Sequence, residues 1–365
     1  MSDRMNRQNR HKRKIPPAVR AVIGIGAACA LLLACLGLRI LYSFLVPIRY
    51  TTAERTAEEP ETVSGESWMS GLSDELLLTQ LTIPGTHDSA TENIIFPYSF
   101  SCQQATVDEQ LAMGFRFFDL RCRVIETQDG EQKAVLHHGS GICRAVTEEG
   151  RTELTQDMVY EDIEAYLTAH PTECVIVMVT PRGDGTDVEL ILSQIRECIE
   201  AKPSAWYTEN RIPTLGEVRG KIVLLVRGST EPEFGIGICY AGEEISEETT
   251  GLSGTLSCEG SLVYQDESSL GVVGKWKVFS GMLEESTDPE QQDLLRINYL
   301  SCSSGLFGLP SPKENARRLN PKLMALELPA GDYGVILVDF GSAEVAEKLY
   351  RTNFMIEDEN TALME

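Results

Sequence analysis

Histidine is scarce in this chain of 365 residues: there are five, and His11 lies in a basic N-terminal tail. Positive charge is also short, with 32 Lys/Arg against 55 Asp/Glu and a formal net charge of −23. Seven of those 32 fall within residues 1–20, against one acid. The remainder holds 25 basic and 54 acidic residues, a net −29. Such a domain is no partner for nucleic acid, which is met by broad positive surface. It should also repel an anionic membrane, so an anionic lipid substrate would require a local basic pocket. No Cys-x-x-Cys pair occurs, which leaves zinc without its usual spacing. There is no internal repeat.

Long apolar runs are absent but for one. It extends from Ala21 to Leu38 and resumes after Arg39 as Ile40-Leu41-Tyr42-Ser43-Phe44-Leu45-Val46. That is enough to span a bilayer with some tilt. The basic flank should stay in the cytoplasm and leave the C-terminal bulk outside, as an uncleaved signal anchor. A cleaved signal peptide needs a small-x-small site, which Phe44-Leu45-Val46-Pro47 does not offer. Leu32-Leu33-Ala34-Cys35 has the look of a lipoprotein box, although Cys35 is followed by more apolar residues rather than a polar tether. All three readings export the domain. Cys29 and Cys35 lie in this run. Eight cysteines remain (Cys102, Cys122, Cys143, Cys174, Cys198, Cys239, Cys258, Cys302), an even number for which disulfides are plausible. The expected organisation is a basic cytoplasmic tail over 1–20, a transmembrane anchor over 21–46 and an acidic stalk over 47–70. A catalytic barrel over 71–358 and a tail over 359–365 complete it.

Beyond the stalk, short apolar runs alternate with amphipathic ones. Strands are expected at Leu81–Pro84, Phe115–Leu120, Ala134–His137, Cys174–Val179, Lys221–Arg227, Ser261–Gln265, Arg296–Leu300 and Gly334–Phe340. Many lack polar alternation, as strands buried on both faces do. Helices are expected at Thr106–Met113, Tyr160–Ala169, Asp187–Ala201 and Ala343–Tyr350. The segment from Gly228 to Gly260, rich in Gly, Ser, Thr and Glu, reads as long loops. Strand–helix alternation over this length is an α/β pattern. It predicts a distorted or incomplete (βα)8 barrel of TIM type, preceded by a single N-terminal transmembrane helix.

Reactive residues follow the apolar runs, where a barrel enzyme carries its chemistry. His87 comes after a Pro-Gly-Thr turn at the end of the first strand, Asp119 and Arg121 near the end of the second, and His138 at the end of the third. Asp339 ends the last. If the barrel closes, Asp339 neighbours His87 and can hold it as a base. A lone histidine is more often a satisfied core residue; it is the company of these strand ends that favours chemistry. Alternation sends His137 away from His138 and so to the outside, and Arg116 away from Asp119. His170, before Pro171, reads as structural. Arg121 and Arg123 share a face unless a bulge or the strand's end separates them. Arg121 is the expected phosphate ligand, since guanidinium can fork two phosphoryl oxygens.

Four segments, in order and spacing, resemble the bacterial phosphatidylinositol-specific phospholipase C family. They are Ile83-Pro84-Gly85-Thr86-His87-Asp88-Ser89, Phe118-Asp119-Leu120-Arg121-Cys122-Arg123, Leu136-His137-His138-Gly139 and Gly220-Lys221-Ile222-Val223-Leu224-Leu225-Val226-Arg227. The resemblance covers about residues 70 to 355. It implies that His87 is the general base, taking the proton of the inositol 2-hydroxyl. His138 would be the general acid protonating the diacylglycerol oxygen, with Asp339 paired to the base and Asp88 supporting acid and arginine. Asp119 and Arg121 match the carboxylate and the phosphate-binding arginine, and Arg121 stands where calcium-dependent relatives keep an acidic metal ligand. Activity without calcium or any cofactor is therefore expected. Arg227 and Asp266 match head-group positions. The segment after the fourth strand departs from the family's Lys and Glu and offers Arg182, while Ser268 replaces an aromatic for which Trp276 is the candidate substitute. The implied partners are a phosphatidylinositol-type lipid and a membrane.

Two other readings use the same residues. One is a phosphodiesterase acting on another glycerophospholipid or an envelope lipid polymer; the other is a silent membrane-anchored lipid-binding barrel. Oligomeric state and the physiological head group are not legible in the sequence.

Overall fold

Nine short strands follow one another in chain order around a ring that closes on itself. They are β1 (Ile83–Thr86), β2 (Phe117–Glu126), β3 (Val175–Arg182), β4 (Ile222–Arg227), β5 (Ile236–Cys239), β6 (Leu252–Leu256), β7 (Ser261–Gln265), β8 (Leu294–Tyr299) and β9 (Val335–Val338). The computed structural model describes residues 17–48, 63–127, 130–148, 150–240, 251–285, 294–302 and 309–354. β1 closes the ring by pairing parallel with β9, Ile83 to Thr86 against Val335 to Val338, and with β2 at Gly85–Phe117 and Thr86–Phe118. Every neighbour in the ring is parallel except β6, which runs antiparallel to β5 and β7. The expected barrel is thus present, distorted by one strand of the wrong sense.

The apolar runs explain the ring. β3 and β4 are buried along Val175–Val179 and Ile222–Val226, as strands are when packed between a barrel interior and an outer helical layer. The outer layer includes Gln156–Ala169, Gly185–Ala201, Gly271–Glu285, Pro312–Ala325 and Ala343–Tyr350. Two of these helices, Gly271–Glu285 and Pro312–Ala325, were not expected from the sequence. The second does carry a legible start, since Ser311 caps the backbone of Glu314 ahead of Pro312.

Three expectations are corrected. Gly228 to Gly260 holds β5 and β6 rather than only loops; both are four or five residues long, and Leu252-Ser253-Gly254-Thr255-Leu256 is only partly buried, so no apolar run marked it. The expected third barrel strand, Ala134–His137, lies outside the ring. It belongs to Gln132–His138, which pairs antiparallel with the far half of β2, Cys122 against Leu136 through Glu126 against Gln132. Finally, all ten cysteines are free thiols, so the plausible disulfides are not formed. Burial rather than pairing accounts for Cys102, Cys122, Cys143, Cys174 and Cys302.

A separate unit, Met1–Pro47, is described only from residue 17. Its helix Pro17–Leu45 contains a 25-residue apolar stretch, Ala21–Leu45, long enough to cross a membrane. The expected tail over 1–20 falls outside the described residues up to position 16. So do positions 49–62 of the stalk and all of 359–365.

Candidate active site

The reactive side chains gather where β1, β2 and β9 end or pass the rim. The amide of His87 donates to Val338 O at 3.1 Å, so the chain leaves β1 pinned to β9. That placement brings His87 Nδ1 to 2.8 Å from Asp339 Oδ1, across 252 residues of sequence. Ring closure, inferred from alternation alone, holds at the one contact that tests it most directly. Asp88 follows with φ +43°, in the left-handed region that few non-glycine residues adopt. This turn sends its carboxyl back beneath the imidazole, with Oδ2 3.1 Å from His87 Nε2. Ser89 secures the segment to β2: its hydroxyl accepts from the Asp119 amide at 2.8 Å, and its amide donates to Asp119 O at 3.0 Å.

Asp88 is the hub of the cluster. Its Oδ2 lies 3.4 Å from His138 Nε2, and Oδ1 lies 3.2 Å from Arg121 Nε. Arg121 Nη2 in turn reaches Asp119 Oδ2 at 3.0 Å. The two imidazoles meet edge to face, centroids 5.9 Å apart. His138 Nδ1 lies 2.8 Å from Phe100 O. A carbonyl can only accept, so Nδ1 carries a proton and Nε2, facing Asp88, is the nitrogen whose protonation can vary.

The strand description changes with these coordinates. Asp119 and Arg121 are interior residues of the ten-residue β2, and the barrel rim crosses the strand there because β1 has already ended at Thr86. His138 arrives from the hairpin arm rather than from a barrel strand. β2 keeps unbroken register with β3 from Phe117 to Arg123, so no bulge separates Arg121 from Arg123. Distance past the rim does so: Arg123 lies out on the hairpin, its Nη2 on Ser140 O at 3.4 Å. Arg116 does face away, buried with Glu173. His137 turns out of the cluster toward Gly139 O at 3.1 Å, and burial lowers its pKa to about 4. His170 stacks on Tyr166 at 4.5 Å, in keeping with a structural role.

Electrostatics poise these groups. Burial, then Arg121 and His138, hold the His87 imidazole well below its usual pKa, so it is neutral at physiological pH. Burial likewise pushes the Asp339 carboxyl up, and Asp88 adds to this. It raises Asp88 as well, against the pull of Arg121 and His138. For Arg121, burial opposes the charge, but Asp119 and Asp88 outweigh it and the guanidinium stays ionised.

A second group lines the far side of the mouth. Arg227, the last residue of β4, donates from Nη2 to Asp266 Oδ2 at 2.8 Å, and its guanidinium lies 4.0 Å over the Tyr240 ring. Tyr240 stacks on Tyr264 at 3.9 Å. Tyr299 closes the gap between the two groups, edge to face with His87 at 5.8 Å. Arg182 sits exposed at the end of β3; burial and the charges of Arg227 and Arg121 lower its pKa. Trp276 does not join them. It packs near Phe279, with Lys322 Nζ 5.2 Å from its ring.

Sequence reasoning missed the supports. Gln103 Nε2 donates to His87 O at 2.8 Å and Val338 O at 2.9 Å, bracing the base from behind. Asn320 Nδ2 donates to Asp339 O at 2.8 Å. Lys275, next to the favoured Trp276 but on the inner helix face, is wholly buried. Its Nζ donates to Gln265 Oε1 at 2.6 Å and Glu267 O at 2.7 Å, and burial lowers its pKa to about 8. It thereby fixes the turn that carries Asp266. A lysine in an amphipathic helix gives no sequence signal of that role.

A closed barrel, parallel but for β6, carries paired imidazoles, carboxyls and a guanidinium at its carboxyl-end mouth, where a barrel enzyme holds its reactive centre. No protein-family model matches the chain. Over 271 residues it is 29% identical to the 1-phosphatidylinositol phosphodiesterase of Staphylococcus aureus (strain Newman), covering 71% of this chain and 82% of that protein. The protein of the same name from Listeria monocytogenes is 23% identical over 332 residues, 86% of this chain and 94% of that one. A solved structure of the Staphylococcus aureus phosphatidylinositol-specific phospholipase C aligns with a TM-score of 0.64 at 24% identity, covering 80% of this chain and 98% of that one. The Listeria monocytogenes enzyme aligns with a TM-score of 0.60 at 23% identity, over 80% and 99% of the two chains. Over most of its length the chain is similar to bacterial phosphatidylinositol-specific phospholipases C, and it shares their fold.

Proposed function

We propose that the protein cleaves phosphatidylinositol, or a glycosylated derivative, to diacylglycerol and inositol 1,2-cyclic phosphate. The observation that carries this reading is the position of Asp88. One of its oxygens faces both imidazoles and the other faces Arg121. A base, an acid and a fixed positive charge are thereby set around one small volume, as an in-line attack on a phosphodiester requires.

His87 Nε2 takes the proton of the inositol 2-hydroxyl, whose oxygen attacks the phosphorus. The bond to the glycerol oxygen breaks, and His138 Nε2 supplies the proton to that leaving oxygen. Asp339 holds the Nδ1–H tautomer of His87 and stabilises the imidazolium as it forms. Arg121 spreads its donors over the phosphoryl oxygens, in the role that a metal ion fills elsewhere, so the reaction proceeds without calcium. Each acid–base role contributes ~10²–10⁴-fold.

Head-group binding falls to the second cluster. Arg227 Nη1 is buried without a hydrogen-bond partner among the described residues, and the buried hydroxyls of Tyr240 and Tyr299 have no partner there beyond each other. Buried orphan donors and acceptors are costly and call for an explanation. A polyol ring carrying five free hydroxyls supplies partners of the right kind, with Asp266 and Arg182 at the edge. Trp276 has no part in this pocket. The domain works outside the cell, tethered by an uncleaved helix over 21–46 with the basic residues 1–20 in the cytoplasm; the expected stalk over 47–70 is shorter at its end, because Gly65–Gly71 folds onto the barrel domain with Trp68 and Met69 wholly buried.

The deciding experiment supplies the full chain with phosphatidylinositol vesicles in chelator and identifies soluble products by phosphorus NMR. Cyclic inositol phosphate as the first product is expected. A linear phosphate formed without it, or turnover that stops in chelator, would sink the mechanism.

A further inference from the structure

The lyase reaction leaves one reactive group beside the base unused. Cys102 is wholly buried, its Sγ 3.4 Å from His138 Nδ1 and 4.0 Å from Asp88 Oδ2. One donor atom each from His87, Asp88 and Cys102 lie within 4.8 Å of one another. We propose that these three residues form a binding site for a thiophilic divalent cation, zinc being the one that fits, and that its occupation arrests catalysis.

Geometry comes first. Tetrahedral zinc with its usual bond lengths sets neighbouring ligand atoms ~3.2–3.7 Å apart. His87 Nε2 and Asp88 Oδ2 stand 3.1 Å apart already. The thiol must close by roughly half an ångström on Asp88 from its 4.0 Å separation, and it starts within 4.8 Å of a His87 ring nitrogen, so a side-chain adjustment completes the set. The second observation is the partner of the other ring nitrogen. His87 Nδ1 rests on Asp339 at 2.8 Å, and a carboxylate on the far nitrogen is what orients a metal-ligating histidine. Base and ligand need the same tautomer, so the enzyme presents a ready-made metal ligand as a by-product of making a base.

The chemistry of the donors selects the ion. One carboxylate and one thiolate balance a double positive charge, and a neutral imidazole completes three ligands. Water takes the fourth position, the arrangement of open zinc sites. Calcium and magnesium want six or more oxygens and find one here. Binding converts Cys102–SH to a metal thiolate and releases one proton to solvent, so affinity rises with pH. The absence of zinc-finger spacing is no objection. These ligands come from a turn and a loop brought together by the barrel, not from a local motif.

The site itself does not depend on the proposed reaction; only the inhibition rests on His87 acting as base. Cobalt(II) titrated into the full chain in detergent is the probe. A near-ultraviolet thiolate-to-cobalt band is expected, displaced by one equivalent of zinc. Cys102→Ser should lose the band, and both it and His87→Gln should bind at least ~10-fold more weakly. Circular dichroism establishes that each variant is folded, and either one suffices. Turnover of the parent should fall with zinc and return with chelator. No thiolate band, or equal affinity in parent and variants, would overturn the site. Cobalt held through the thiolate with undiminished turnover would overturn both the inhibition and His87 as base, whereas a zinc-free parent inactive on phosphatidylinositol would count against the lyase reading alone.

Discussion

Nδ1 of His87 and Oδ1 of Asp339 stand 2.8 Å apart because the first and last strands of the ring are neighbours. If Asp339 orients the base, Asp339→Asn should lower kcat by ~10²–10⁴-fold, since an amide N–H directed at Nδ1 selects the tautomer that has no lone pair at Nε2. KM should change little, because Asp339 lies behind the imidazole and not in the mouth. Steady-state kinetics on mixed micelles separate the two constants. An unchanged kcat would mean that the pair is only structural.

Arg121 provides a sharper test of what replaces a metal. In Arg121→Lys a point charge remains, but the fork onto two phosphoryl oxygens and the paired contacts to Asp88 and Asp119 are lost. We expect kcat to drop by ~10²–10³-fold, the range seen when one donor to a developing anion is removed. Calcium added to this variant should not restore it. Near-wild-type turnover in Arg121→Lys would show that charge alone suffices.

The pH profile follows from burial. His87 must be neutral to accept a proton, and burial with Arg121 and His138 holds its pKa well below the ordinary imidazole value. The acid limb of kcat/KM should therefore fall below the ordinary imidazole range of ~6.5. The same depression has a sign for stability. The unfolded state binds the proton more readily, so this contribution is complete above the unfolded pKa and is lost as pH falls through the folded one. An acid limb above ~6.5 would place the base elsewhere.

How much of this was legible depended on whether the signal was local. Apolar runs such as Val175–Val179 and Ile222–Val226 announced buried parallel strands, and chain-order adjacency put them beside one another. His87, Asp119, Arg121 and Asp339 were legible because each follows or sits in such a run. The hairpin arm is not told from a ring strand by sequence, since Ala134-Val135-Leu136-His137 is as apolar as one and only its antiparallel pairing with Cys122–Val124 sets it apart. β5 and β6 were lost because short strands with glycine carry no apolar run. Gln103, Asn320 and Lys275 act through backbone carbonyls and a glutamine side chain brought near by the fold, and no spacing encodes those contacts. Trp276 was favoured for its ring, when helical rotation had placed its neighbour inside.

Arg116 supplies the stability test that leaves chemistry untouched. It faces away from the mouth, fully buried, with Nε and Nη2 on Glu173 Oε2 at 3.0 and 2.9 Å. Its remaining donors reach the carbonyls of Leu111, Phe115 and Gly65, and the Tyr166 hydroxyl. Removing one partner of such a pair strands the other charge, so Glu173→Gln should cost ~3–5 kcal/mol in urea unfolding. Replacing both with apolar residues often restores stability, but here it would strip the carbonyls of Phe115 and Gly65 of their Arg116 donors, at about 1–3 kcal/mol each. Arg116→Met with Glu173→Leu should therefore remain destabilised, while the folded fraction keeps the parent kcat/KM and the parent pH limbs. Full recovery in the double variant would mean that the carbonyls find water, and that the buried pair alone sets the loss.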